Sequence, residues 1–402
     1  MTKAKITSAA IGLLVTACAT GPTVYEKASL SDADRAQIST LPLPYQSAYT
    51  KLLQEGNRNE VLNRMEIGAK AFKAGDFILA KRELTAARNT IERIYADDED
   101  ALKARSLWYE EGRKNFKGEP YERSMVYFYL GLIYITEGDY GNAHASFKNG
   151  LMQDAFAEEE QNRSDFASMY YLAWWSAQRM GSETLIRDYK YDEAFKALRP
   201  DIAAPNLDNK LLVIAETGTA PRKLADGVGH YALVYRRGKN FTEESVNIRY
   251  DGNDAKLDLL DSVYFQAATR GGRAVDKIIE GKASFKQKTE NIGSTLTDIG
   301  MSDTAHFLAY GQSGGMETLG ALTLVGVAAM SLSANTKARA DTRYWKHLPD
   351  SIHVGSFKNT GTDTNIQATF LDKAGNEVTT VKPKINVQTN PDGIKLAFIS
   401  AR

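Results

Sequence analysis

Ile67-Gly68, Ala71, Gly75-Asp76-Phe77, Ala80, Leu84 and Ala87 form a spaced series that returns 63 residues later. The second copy reads Leu130-Gly131, Tyr134, Gly138-Asp139-Tyr140, Ala143, Phe147 and Gly150. Small residues recur at the same slots, which places Gly68, Ala80, Gly131 and Ala143 where two helices touch too closely for larger side chains. The Gly-Asp-aromatic triplets then supply the turn between the helices, because glycine tolerates the left-handed backbone that ends a helix. Internal similarity of this kind is the strongest single guide to architecture.

The paired series resembles the tetratricopeptide repeat. A third, degraded copy begins at Leu172-Ala173 and Ser176 and closes with Tyr191, Ala194 and Leu198, with an insertion around 181–190. Ala101 to Lys114 reads as a helix within the gap between the first two copies. The array is irregular, and three units just suffice to bury a continuous core. Its concave surface is the expected groove for a partner's helix or extended peptide, with Tyr127, Tyr134, Tyr170, Tyr171, Trp174 and Trp175 as candidates for its lining.

Outward from the repeats, the chain changes texture. Near residue 208 the run Leu211-Leu212-Val213-Ile214-Ala215-Glu216 reads as a buried strand. Tyr231–Arg236 and Ser245–Tyr250 read as strands, and Leu257–Arg270 and Ala274–Ile299 as helices. Ile352–Phe357, Ile366–Leu371, Glu377–Val381 and Ile394–Ile399 read as strands, with turns at 373–376 and 390–393. The fold class is therefore α+β: a tetratricopeptide-like helical array over 45–205, a mixed α/β region over 206–340 and a β-rich segment over 341–402.

The N-terminus carries a different signal. Lys3 and Lys5 precede an apolar run from Ile6 to Val15, and Val15-Thr16-Ala17-Cys18 ends it on the chain's only cysteine. This is the layout of a secretory signal peptide. Ending on cysteine, it resembles the lipobox of bacterial lipoproteins, which implies acylation of Cys18 (palmitate-type chains) and cleavage before it. Residues 1–17 are then a signal peptide and 18–44 a lipidated tether. Ala19, rather than aspartate, implies sorting to the outer membrane, facing the periplasm. Acylation also removes the thiol from disulfide, nucleophile and zinc chemistry.

Composition narrows the partner class. The chain has 402 residues with 50 basic and 50 acidic side chains, and removing Lys3 and Lys5 leaves 48 against 50. No basic excess is present for nucleic acid. The five histidines show no ligand spacing, so neither metal nor cofactor is expected. Thr318–Ala334 is 17 residues without a charge, short for a bilayer span. It reads as a packed helix, with oligomer contact or membrane insertion as the alternatives.

Five segments concentrate chemistry. Glu119, Tyr121, Glu122 and Arg123 stand at a helix start, where proline and acidic groups also suit the first turn and its dipole. Glu216 to Lys223 follows the buried strand, as a binding loop or a plain turn. Arg270 and Arg273 form a basic turn that fits an anion or a simple structural role. Gly311-Gln312-Ser313-Gly314-Gly315 matches the GxSxG elbow, with Asp341 and His347 or His353 in the chain order of such hydrolases, or is a flexible turn. Asp341, Arg343 and Trp345 sit in the densest cluster, as a partner contact or a domain joint.

The segments 118–123, 216–223 and 340–349 together resemble an uncharacterised family of repeat-containing envelope lipoproteins, found beside lipoproteins that activate peptidoglycan synthases. No catalytic residue follows from it. The expected function is a non-enzymatic, lipid-anchored scaffold or adaptor for an envelope protein partner, the peptidoglycan-synthesis machinery among the options. Glu119, Tyr121, Glu122, Arg123, Tyr134, Trp174, Trp175, Glu216, Lys223, Arg270, Arg273, Asp341, Arg343 and Trp345 are the candidate contacts. The alternatives are a peptidoglycan- or glycan-acting enzyme and a self-assembling outer-membrane subunit.

Overall fold

A computed structural model describes residues 27–95, 115–154, 165–226, 232–270, 341–358 and 365–401. The lipobox with Cys18, the helices expected over 101–114 and 274–299, Arg273, the GxSxG segment and the apolar stretch 318–334 lie outside them. The described residues are mixed helix and sheet, as the α+β reading expects.

The helices are α1 (Asp32–Ser39), α2 (Leu43–Lys73), α3 (Phe77–Tyr95), α4 (Pro120–Glu137), α5 (Tyr140–Asp154), α6 (Ala167–Arg179), α7 (Glu183–Asp188), α8 (Tyr191–Leu198) and α9 (Val263–Arg270). The spaced series occupies equivalent places in the pairs α2–α3 and α4–α5. Gly75 and Gly138 take left-handed φ of 83° and 76°. Asp76 and Asp139 then start the next helix. Each donates its N–H five residues back, to Ala71 and Tyr134, and each side chain accepts from an N–H three residues on, at Leu79 and Asn142. The small slots follow from packing. A Cβ on Gly68 would lie 2.6 Å from Leu84, and one on Gly131 would lie 2.5 Å from Phe147. Ala80 and Ala143 are fully buried.

Helix α2 is folded back on itself. Gly56 has φ 53° and ψ −151°, a conformation essentially restricted to glycine. The Lys70 ammonium consequently reaches the Pro44 carbonyl, whereas a straight helix would hold those residues about 39 Å apart at 1.5 Å per residue. Residues 32–39, expected as tether, form a helix whose Ile38 is buried. The third repeat copy falls on α6 and α8, and its insertion contains α7.

Ten strands follow among the described residues: β1 (Leu211–Thr217), β2 (Arg222–Asp226), β3 (Ala232–Arg236), β4 (Ser245–Tyr250), β5 (Asn253–Lys256), β6 (Asp258–Ser262), β7 (Ser351–Phe357), β8 (Gln367–Leu371), β9 (Lys384–Thr389) and β10 (Lys395–Ser400). One sheet has the order β6-β7-β1-β10-β9, a second β5-β4-β8, and β2 pairs with β3. β1 pairs with β7 antiparallel and with β10 parallel. Strands from 206–340 and from 341–402 thus share one sheet. Two local expectations are corrected. Leu257–Arg270 is not one helix, because Asp258–Ser262 extends the sheet before α9 begins. Glu377–Val381 forms only an isolated bridge at Glu377 to Leu371, with turns after it.

The five-stranded sheet is buried on both faces, which explains the unbroken apolar run of β1. Leu212, Ile214, Leu396 and Phe398 join the helix-side core. Leu211, Val213, Ala215, Ala397 and Ile399 join the core shared with the β5-β4-β8 sheet. The molecule is layered as helices, five-stranded sheet, three-stranded sheet. The face of α2, α4 and α6 that a groove would use is occupied by the chain's own sheet. Phe72 packs on Phe398 with centroids 4.7 Å apart, and Tyr171 hydrogen-bonds Ser356 at 2.9 Å.

Candidate functional site

The chemistry-bearing segments converge between the helix layer and the sheet. Helix α4 starts at Pro120 because proline lacks the N–H that a first turn leaves unused. The Glu119 N–H donates to Glu122 Oε2 at 2.8 Å. Glu119 Oε1 pairs with Lys223 of β2 at 2.7 Å. Glu122 Oε1 accepts the Trp345 N–H at 2.7 Å. Arg123 donates to the Gly118 carbonyl and to Gln153. Tyr121 lies edge-on to Tyr235.

The segment after residue 340 threads this region in extended form. Arg343 clasps Asp341 with both its Nε and Nη2, then reaches the Arg58 carbonyl and Asn59 Oδ1 of α2. Glu66 accepts the Lys346 N–H and contacts the His347 ring, and Lys73 donates to the His347 carbonyl. Asn59, Glu66 and Lys73 recur every seventh residue, so they share one face of α2. Trp345 is fully buried, its ring 5.7 Å from that of Tyr129. Tyr129 donates to Glu216 Oε1, and Lys73 pairs with Glu216 Oε2 at 2.8 Å.

Burial sets the electrostatics. Removal from water pushes the Glu122 carboxyl up to about 7; Lys223 draws it down, Glu119 pushes it up, and the two N–H donors draw it down again. Burial also raises Asp341, but the Arg343 hydrogen bonds and charge outweigh it and hold the carboxyl below its ordinary value. Burial, with the Glu216 charge, holds Tyr129 far above the ordinary phenol range, which keeps it a donor. The network can thus hold protons and pin backbone.

Glu119, Tyr121, Glu122, Arg123, Trp174, Trp175, Glu216, Lys223, Asp341 and Trp345 are all buried. The structure therefore moves them from an expected contact surface to the interior. Trp175 packs on Tyr140 and under Arg179. Tyr134 stays partly exposed beneath the Lys81 ammonium, at 4.4 Å. Arg343 is partly buried. Arg270 ends α9, and the structure does not describe its side chain.

The sequence reading missed Asn59, Glu66, Lys73 and Tyr129; the heptad spacing of the first three along an apolar helix was the available signal. It also missed Asp261, whose carboxylate accepts the N–H groups of Ala167 and Ser168 at the start of α6. Burial pushes that carboxyl up to about 6. Among the described residues no three His, Cys, Asp or Glu side chains are grouped to hold a metal ion, and no helix is long and apolar enough to cross a membrane. The chain matches no protein-family model, no curated protein and no solved structure.

Proposed function

We propose that this chain is a lipid-anchored scaffold or adaptor of the bacterial envelope, held through Cys18 on the periplasmic side of the outer membrane. The helix pairs act as tetratricopeptide-like units fused to a sheet. The observation that carries this reading is the use made of the chemistry-bearing side chains. Glu119 with Lys223 and Glu216 with Lys73 fasten one layer to the next, and Arg343, held by Asp341, bonds Arg58 and Asn59 of α2. A body fastened in this way presents fixed surfaces, as a scaffold requires. Because the inner helix face carries the sheet, the partner meets the outer helices instead. There Ile78 of α3 is 88% exposed and Met152 of α5 is 59% exposed.

The test is photo-crosslinking in cells, with the reactive group placed at Ile78, at Met152 and, as a control, at Lys256 of β5. A defined envelope protein should be captured from the helix positions and not from the control. Equal capture from all three positions would sink the adaptor reading.

A further inference from the structure

The two edges of the five-stranded sheet are built differently. At β6 the pairing with β7 is bulged between Leu259 and Asp261, and the Arg199 guanidinium donates to the Leu259 and Leu260 carbonyls. A bulge and a cation on the carbonyls are devices that stop an edge from pairing further. β9 has neither. Its register with β10 runs unbroken from Lys384 to Thr389, and no described segment pairs with its outer side.

The ladder fixes which backbone groups are free. The Asn390 N–H donates to the Ile394 carbonyl, so in an antiparallel pair the bonded positions fall on every second residue. Gln388, Asn386 and Lys384 then face β10, and Ile385, Val387 and Thr389 turn their N–H and C=O groups outward. On the side-chain level, Ile385 and Val387 stay half-buried against the core beneath the sheet.

We propose that β9 pairs antiparallel with β9 of a second copy of this chain, with Val387 on the two-fold axis. The strand is self-complementary in that register. Ile385 faces Thr389, Val387 faces its own copy, and about six N–H···O bonds form. Lys384 lies opposite Asn390, so no like charges meet. The half-buried Ile385 and Val387 gain cross-strand cover, and the sheet continues through the axis as a closed, isologous contact.

Sedimentation of the full chain carrying Cys18→Ser should give twice the monomer mass. Val387→Pro removes an outward N–H and leaves the β9–β10 ladder intact. That variant should be monomeric and folded, with the parent's far-ultraviolet circular dichroism. Should it fail to fold, a Cys18→Ser, Val387→Cys chain decides. Opposed bonded residues lie about 5.5 Å apart at Cα, within disulfide reach, so mild oxidation should link two copies, and Lys256→Cys should not. A monomeric parent chain, a dimer that survives Val387→Pro, or no link at residue 387 would each overturn the proposal.

Discussion

Lys223 Nζ lies 2.7 Å from Glu119 Oε1, with side-chain exposures of 1% and 3%. Lys223 also acts on the Glu122 and Asp341 carboxyls, so one ammonium serves three acidic groups. Lys223→Met keeps the length and removes the charge. Breaking one side of a buried pair costs about 3–5 kcal/mol. Urea unfolding of Lys223→Met should fall by that amount. A double variant, Glu119→Leu with Lys223→Met, should recover part of it. A single variant as stable as the parent would mean the pair contributes nothing.

The close approach of the helix pairs gives a second expectation. Gly131→Ala places a methyl 2.5 Å from the Phe147 ring, and overpacking of this kind costs about 1–3 kcal/mol. Gly141 on α5 has only Asp139 nearby, at 3.8 Å. Gly141→Ala should therefore be neutral or gain up to about 1 kcal/mol from helix propensity. Gly131→Ala should lower the thermal midpoint and Gly141→Ala should not, and equal shifts would contradict the packing account.

Gly56 separates space from backbone. A Cβ there meets nothing within 4 Å, yet φ is 53° and ψ −151°. Gly56→Ala should lose about 1–3 kcal/mol through backbone strain alone. Gly181, which also has open space but an ordinary left-handed φ of 64°, should lose less when changed to Asn. The comparison is a denaturant midpoint for each variant.

The helix pairs were legible because their physics is local. Gly68 and Gly131 announce a close contact, and Gly75-Asp76 and Gly138-Asp139 announce a turn, within about twenty residues of sequence. β1 was legible because both its faces are buried and it reads as a continuous apolar run. β6 was not, because Leu257–Arg270 changes from strand to helix at Val263 without a glycine or proline to mark it. β9 escaped although Lys384-Ile385-Asn386-Val387-Gln388 alternates polar with apolar residues, because only two strongly apolar side chains carry the pattern. The parallel pairing of β1 with β10 joins residues some 180 positions apart, and no local pattern encodes it. The candidate site followed the same rule. Residues 119–123 were correctly seen as a helix start, but their burial depends on Lys223 arriving from β2 and Trp345 from the segment before β7.

His353 makes one separable contribution to the pH dependence. On β7 it sits across from Ala215 and Leu259, with its Nε2 3.0 Å from Thr217 Oγ1. Burial, with the nearby Lys256 charge, lowers its pKa from 6.5 to about 4. The neutral ring is therefore favoured in the folded chain, while the unfolded chain takes up a proton near pH 6.5. The stability contribution is present above pH 6.5 and is lost as the pH falls toward 4. A shift of that size is worth on the order of 3 kcal/mol. The raised carboxyls of Glu122 and Asp261 act in the opposite direction over the same window, so the imidazole's part is read by comparing denaturant unfolding of the parent and of His353→Gln at pH 7 and pH 4.5. His353→Gln keeps a side chain able to bond Thr217 and cannot take up the proton, so on going from pH 7 to pH 4.5 its stability should fall less, or rise more, than the parent's. An unaltered pH dependence in His353→Gln would mean that the imidazole contributes nothing to it.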